Sequence, residues 1–418
     1  MTAAAESAAP RSLWSGRALV LAGIVVSAFT LRTAVTAITP LLGRIGAQLD
    51  FGSATIGVFG MLPPAAFAAF GLATPALARR IGLERTALLA MLLAAIGMLT
   101  RAMAAQTGTL LVLSVLALGG MGMGNVVLPP LVKRYFGDRV GAISTIYIVV
   151  LTLGTMVPAL VAVPLADATS WRVSIASWTI VAVLAAVPWA LVLLAERRPS
   201  SPLSRLHDAA VAAGGEAAEL EAPAPTGRVW RSPISWGLAA MFGMTSLITY
   251  SFFTWLPTIL VSTGSSAAFG GTMVALFAGM GLVSAFTAPG LVVRIANPFP
   301  IVVGCAVLFF VGFAGLLYSP QHLTVLWVVI AGLGPSTFPM ALTMINLRTR
   351  TPAGSSAMSG FTQGLGYSVA CLGPVLFGVL HQVTSAWTAP FALLSLAVVV
   401  MVIGGYAACQ PRMLEDSW

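Results

Sequence analysis

Apolar residues in this chain run in blocks of about twenty or more, broken by short clusters of basic and turn-forming residues. A helix satisfies its own backbone, and about 20 residues of it cross a ~30 Å hydrocarbon layer. The blocks predict spans near 18 to 43, 53 to 78, 85 to 104, 109 to 132, 140 to 165 and 172 to 195. After a gap, six more follow near 234 to 262, 267 to 293, 298 to 318, 323 to 347, 355 to 381 and 387 to 409. The gap from Glu196 to Ser232 holds many of the acids in a Pro, Gly and Ala-rich stretch, the composition of a mobile linker. The expected organisation is an N-terminal tail (1–17), a six-helix half (18–195), the linker (196–232), a second six-helix half (233–409) and a C-terminal tail (410–418). The expected class is thus all-α and integral to a membrane, with twelve transmembrane helices in two pseudo-symmetric halves.

Basic residues concentrate in the loops on the cytoplasmic side of a membrane. With the N-terminus inside, only Arg44, Arg101 and Arg172 fall on the outer face and only Arg32 within a span. The other seventeen of the 21 Lys and Arg residues, among them Arg11, Lys133, Arg197, Arg198, Arg205 and Arg228, are then cytoplasmic. Both termini are therefore expected in the cytoplasm, across an inner membrane.

Composition narrows the class further. Hydrophobic residues make up 58% of the 418 and charged residues 8%, with a mean hydropathy of +0.96. A soluble globular fold is excluded. The net charge of +9 sits in loop clusters, so lipid headgroups rather than nucleic acid are the expected partner. Cys305, Cys371 and Cys409 lie in apolar segments without ligand-like spacing, which argues against a disulfide framework or a metal site. The first apolar run is too long for a cleaved leader and contains Arg32.

An internal repeat links the halves. Pro75 to Ile81 at the end of the second span matches Pro289 to Ile295 at the end of the eighth, with an offset of 214 that also superposes Gly57 on Gly271. Pro40 and Pro257 align the first and seventh spans and set Thr249 opposite Arg32. Parallel repeats of this kind are a transporter architecture, with the substrate site between the halves near the midplane.

Arg32 lies too deep for its side chain to reach the membrane surface. An intramembrane ion is expensive unless it faces a polar cavity or a partner. All 12 acids fall in loops, tails or span ends, with Asp50 and Asp167 at the outer edge and Glu84 and Asp138 at the inner. The result is a standing positive site suited to an incoming anion through its planar fork, with backbone carbonyls as the structural alternative. Thr36 and Thr39 follow on the same helix face, either lining a cavity or bonding back to their own helix.

The seventh span is unusually polar, with Thr245, Ser246, Thr249, Tyr250, Thr254 and Trp255. The candidate substrate-binding set is Arg32, Thr36, Asn125, Tyr147, Thr249, Tyr250, Trp255, Gln363 and Tyr367. Gly120, Gly122 and Gly124 follow a helical run with no phosphate-loop lysine after it, and read as close helix packing. Prolines 129, 158, 257, 335, 339 and 374 could supply bending.

The chain resembles the major facilitator superfamily and, within it, the cyanate and nitroimidazole transporter family. The broad signals are the six plus six spans and the loop Arg79, Arg80, Ile81, Gly82, Leu83, Glu84, Arg85, a degraded form of the superfamily signature with Arg79 at its acidic position. More specific are Leu31, Arg32, Thr33 leading to Pro40; Gly124, Asn125 leading to Pro129, Lys133, Arg134; Trp255, Leu256, Pro257; and Leu347, Arg348, Thr349 followed by Ser359, Gly360, Gln363, Gly366, Tyr367, Gly373 and Pro374. Thr30 and Thr245 depart from the family, which often has Asn and Gln there, and both are expected beside the cavity. The resemblance implies movement of small anions such as cyanate, or export of small nitroheterocycles.

The leading expectation is a transporter of a small anion or weak acid, acting as a monomer without a cofactor. A proton-coupled exporter of drug-like nitroheterocycles is the alternative. Against it stands the lack of a membrane-embedded carboxylate to carry the proton, since His322 and His381 lie near the outer face; protons remain open as a coupled ion. An enzyme is disfavoured because no acid, His or Cys cluster sits in or near the spans, and a channel or receptor because of the repeat and short loops.

Overall fold

Inside a bilayer a backbone amide has no water to pair with, so each apolar block must close its own hydrogen bonds as a helix. The computed structural model describes residues 17–136, 139–196, 229–350 and 352–417, and among them every transmembrane element is helical. Twelve helices are long and apolar enough to span a membrane: Ala18–Leu49, Ser53–Ile81, Leu83–Ala102, Thr107–Phe136, Ala142–Ala168 and Trp171–Ala195 in the first half; Pro233–Ser262, Ala267–Arg294, Phe299–Tyr318, Thr324–Leu347, Ala357–Thr384 and Thr388–Cys409 in the second. The expected linker from 197 to 228, the tail with Arg11, and Asp138 lie outside the described residues.

The expected spans and these helices agree to within a few residues, and they differ where the chain bends without leaving the bundle. The first span passes through a single 3-10 turn at Thr39–Leu41, around Pro40, and continues to Leu49. The tenth is interrupted at Gly334–Ser336, which contains Pro335, and the eleventh at Cys371, three residues before Pro374. Proline removes one donor and crowds the preceding turn, so these are the natural sites for a break. Pro129, Pro158, Pro257 and Pro339 lie within uninterrupted helix. Gly82 joins the second span to the third at φ +90°, a backbone conformation that a side chain would strain.

Small residues set how closely the helices pack. Gly120 of the fourth span faces the carbonyl of Ala90 in the third, where a Cβ would lie 2.4 Å from the oxygen, and Gly124 is covered by Leu31 of the first. The halves meet along two seams: the second span packs on the eleventh, and the fifth on the eighth. Counterpart glycines mark both. A Cβ on Gly57 would stand 2.6 Å from the Pro374 carbonyl oxygen, and one on Gly271 2.6 Å from that of Ala159. The superposition of Gly57 on Gly271 under the repeat is thus a pair of equivalent contacts across the two seams, both near the end of the bundle opposite the termini.

Charged ties among the described residues sit near the ends of the bundle. Glu84, 3% exposed, accepts from Arg134 Nη1 at 2.9 Å and from the Tyr135 hydroxyl at 3.0 Å, joining the third and fourth spans. At the opposite end Arg44 pairs with Asp167, and the Trp171 indole donates to Gln48. The final residues are held by Arg348, whose Nη2 donates to the Cys409 carbonyl at 2.9 Å, and by the Arg350–Asp416 ion pair.

The seams carry a prediction. Gly57→Val and Gly271→Val should each force apart the end opposite the termini. At the ~1–3 kcal/mol typical of overpacking, the balance between closed and open states should move about fivefold to a hundredfold. Spin-label distances across that end, measured in both variants, should lengthen; unchanged distance distributions would show that the seams yield elsewhere.

Candidate functional site

Between the halves lies a cavity of about 670 Å³. Its wall is drawn from both halves and includes Arg32, Phe67, Asn125, Tyr147 and Thr152 on one side and Ser246, Tyr250, Phe253, Phe338, Gln363 and Tyr367 on the other. The lining positions run from mid-depth toward the end that carries both termini, whereas the tight glycine contacts occupy the other end. The cavity is therefore walled off from the face opposite the termini.

Arg32 is the charged group of this wall. Its Cζ stands 4.7 Å from the centre of the Phe67 ring, and its buried Nη1 has no hydrogen-bond partner among the described residues. The phenols of Tyr250 and Tyr367 and, from the fifth span, that of Tyr147 interact electrostatically with the guanidinium. Among the described residues, no carboxylate lines the cavity. Neutral phenols and a ring face soften the burial of the charge without cancelling it, so the cavity keeps a net positive pole.

Eight of the nine candidate residues lie on this wall: Arg32, Thr36, Asn125, Tyr147, Thr249, Tyr250, Gln363 and Tyr367. Several have spent a donor locally. Thr36 and Thr249 bond back to the carbonyls of Arg32 and Thr245, the Asn125 amide donates to Met121, and Gln363 donates to Ser359 at 2.7 Å. Thr36 thus has the local bond anticipated as an alternative while still lining the cavity, and Thr39 bonds back to the Val35 carbonyl at 2.7 Å. Tyr367 is held edge-on against Phe242, with ring centres 5.1 Å apart.

Trp255 is a correction. It is fully buried away from the cavity, donating to the Pro374 carbonyl at 2.9 Å and stacking on Phe377. Packing at the sealed end has taken its whole surface. Thr30 and Thr245, expected beside the cavity, are also absent from its wall: Thr30 bonds to Val26, and Thr245 to Met241 and Thr337. Arg101, assigned by charge counting to an outer loop, is instead 1% exposed inside the protein, where its Nη1 donates to the Ala34 carbonyl at 3.0 Å.

The sequence reading missed Phe67, Phe253 and Phe338, because an apolar ring facing a cavity and one facing lipid look alike in a helix apolar all round. Thr152 and Thr155 could have been found, since they lie close to one helix face with Tyr147 and Ile148. Ser246 was noticed but not selected; its buried hydroxyl lines the cavity without a partner among the described residues.

Twelve helices in two repeated halves, around a mid-depth cavity whose mostly apolar wall carries one guanidinium and a few hydroxyls and amides, have the architecture of a multi-pass membrane transporter. The sequence model of the Major Facilitator Superfamily matches residues 24–374, and the chain belongs to that family. Similar proteins include the uncharacterized transporter YycB of Bacillus subtilis, 32% identical with 95% of each chain covered. The 2-nitroimidazole transporter of Escherichia coli is 30% identical, covering 96% of this chain and 97% of its own. The cyanate transport protein CynX of the same organism is 26% identical, covering 91% and 94%. Among solved structures, a bacterial homologue of the human lysosomal transporter Spinster superposes with a TM-score of 0.74 over 98% of this chain and 99% of its own, at 15% identity, a likeness of fold.

A buried guanidinium with an unmade bond is retained at a cost to stability. Arg32→Met should stabilise the ligand-free protein by ~1–4 kcal/mol, as replacing buried charge with apolar volume often does. Thermal unfolding of purified protein in detergent measures this; a lowered midpoint would mark Arg32 as a structural tie.

Proposed function

We propose that the chain moves a small anion or weak acid across the cytoplasmic membrane by alternating access, with both termini in the cytoplasm and Arg32 as the central anion-binding group. The observation that carries this reading is the Nη1 of Arg32, which has no hydrogen-bond partner among the described residues, in a cavity that no described carboxylate lines. An incoming anion supplies the missing counter-charge and the missing acceptor together. Loop charge supports the orientation, because the basic excess lies at the end carrying the termini. The cavity then faces the cytoplasm.

Six aromatic rings, those of Phe67, Tyr147, Tyr250, Phe253, Phe338 and Tyr367, suit a flat substrate. Two relatives are transporters of small, flat or linear species, 2-nitroimidazole and cyanate. Tyr250, Gln363, Tyr367, Asn125, Tyr147, Thr36 and Thr249 provide hydrogen-bonding groups around the ring or anion. The second reading, proton-coupled export of nitroheterocycles, draws on the same rings. It lacks a cavity carboxylate to carry the proton.

Three outcomes follow. Arg32→Ala should abolish transport and weaken anion binding by about a hundredfold, as loss of one or two charged hydrogen bonds predicts, and Arg32→Lys should largely do the same because it loses the planar fork. Binding of cyanate, 4-hydroxybenzoate and 2-nitroimidazole to folded variants, read by calorimetry, tests this; wild-type affinity in either variant overturns the anion site. Tyr250→Phe, Tyr367→Phe and Gln363→Ala should each cost the ~0.5–1.5 kcal/mol of one hydrogen bond in the same assay, and three unchanged affinities would remove these groups from the site. In proteoliposomes, net anion movement should follow the membrane potential while one-for-one exchange should not. Proton-driven accumulation abolished by neutral replacement of Asp50, Asp167, His322 or His381, with binding intact, would instead make a span-edge group the proton carrier.

A further inference from the structure

We propose that Arg101 and Ser114 form a second anion station, on the side of Arg32 opposite the termini, which takes the anion when that end of the bundle opens. The proposal rests on the anion reading of the central cavity, but it stands on different residues. Arg101 occupies the last turn of the third span and is 1% exposed. One of its nitrogens donates to Ala34, two residues along the first span from Arg32, while Nε and Nη2 have no hydrogen-bond partner among the described residues. Ser114 of the fourth span, also 1% exposed, has an unpartnered hydroxyl and faces the same small void of about 20 Å³.

Tying the third span to one carbonyl needs one donor. A guanidinium that leaves two more unmade in a buried site costs several kcal/mol over a neutral side chain that could make the same bond. Arg101 and Ser114 line the same void, and an anion seated there would offer an acceptor to the guanidinium donors and to the serine hydroxyl. The void holds about one water-sized group, so in the closed arrangement it is too small for an organic anion.

Its position makes it a waypoint. Val35, Tyr250 and Phe253 line both this void and the central cavity, so one layer of side chains separates Arg101's chamber from that of Arg32. On the far side lie the close contacts of Gly60 with Thr254 and Pro374. Parting the seam there would widen the chamber toward the outer solution, and movement of Tyr250 would join it to Arg32. An anion would then meet two guanidinium groups in succession.

The test reads local charge without requiring the substrate's identity. In the full chain with Cys305, Cys371 and Cys409 replaced by Ser, Ser114→Cys is exposed from the face opposite the termini to anionic 2-sulfonatoethyl or cationic 2-(trimethylammonium)ethyl methanethiosulfonate. After correction for each reagent's rate with a free thiol, the anionic reagent should be faster by about tenfold or more, the effect of a focused positive field. Arg101→Gln should bring the two rates to within about twofold, Arg101→Lys should keep most of the preference, and Arg32→Gln should leave it in place. Perchlorate should slow the anionic reagent more than gluconate at equal ionic strength, a comparison that needs no change at Arg101. The proposal is overturned if the cysteine is unreactive from that face even with Gly57→Val, if the preference survives Arg101→Gln or vanishes with Arg32→Gln, or if perchlorate and gluconate act alike. Because the preference does not depend on Arg32, failure of the central site and failure of this one are separately visible.

Discussion

A guanidinium near the middle of a membrane, with no carboxylate to answer it, is the constraint around which this molecule is arranged. Arg32 cannot shed its proton or reach the headgroups, and full burial without a partner would cost more than a typical domain can spare. The wall responds with what remains: the face of Phe67, the hydroxyls of three tyrosines and the open space of a cavity of about 670 Å³. Each lowers the cost of the charge, and none removes it. A carboxylate in their place would give a more stable protein and fill the position an anion would take.

The same constraint explains why the ring-bearing residues converge from different spans. Tyr147 comes from the fifth, Tyr250 from the seventh and Tyr367 from the eleventh, so the surroundings of Arg32 are shared between the halves. Any relative motion of the halves must alter the environment of the guanidinium. A ligand held by both would therefore be felt in the packing between them, which is the physical requirement for coupling occupancy to conformation.

The seams are built so that such motion is feasible. At the end opposite the termini, the second span meets the eleventh and the eighth meets the fifth through glycine against backbone carbonyl, a contact with little side chain to unlock. The buried ion pair of Glu84 with Arg134 joins two helices of one half and does not cross a seam. Strong polar ties keep a half rigid, while small-residue contacts let the halves part.

Span number and repeat could be read in the chain because hydrocarbon imposes the spans residue by residue: about twenty apolar positions are needed for each crossing. The position of Arg32 near mid-depth follows from counting along one helix, and so does the confinement of the acids to loops, tails and span ends. Tertiary structure decided which face of each helix turns inward. In spans apolar on every side, lipid and protein are similar solvents and no pattern separates a lining residue from a packed one. Phe67 therefore carries no sequence mark of the cavity it faces, and Trp255, expected on the wall, is packed at the seal. Arg101 changed sides for a related reason: charge counting sees that a residue lies at the end of a span, and only the packing of the third helix against the first decides whether it points to water or to the Ala34 carbonyl.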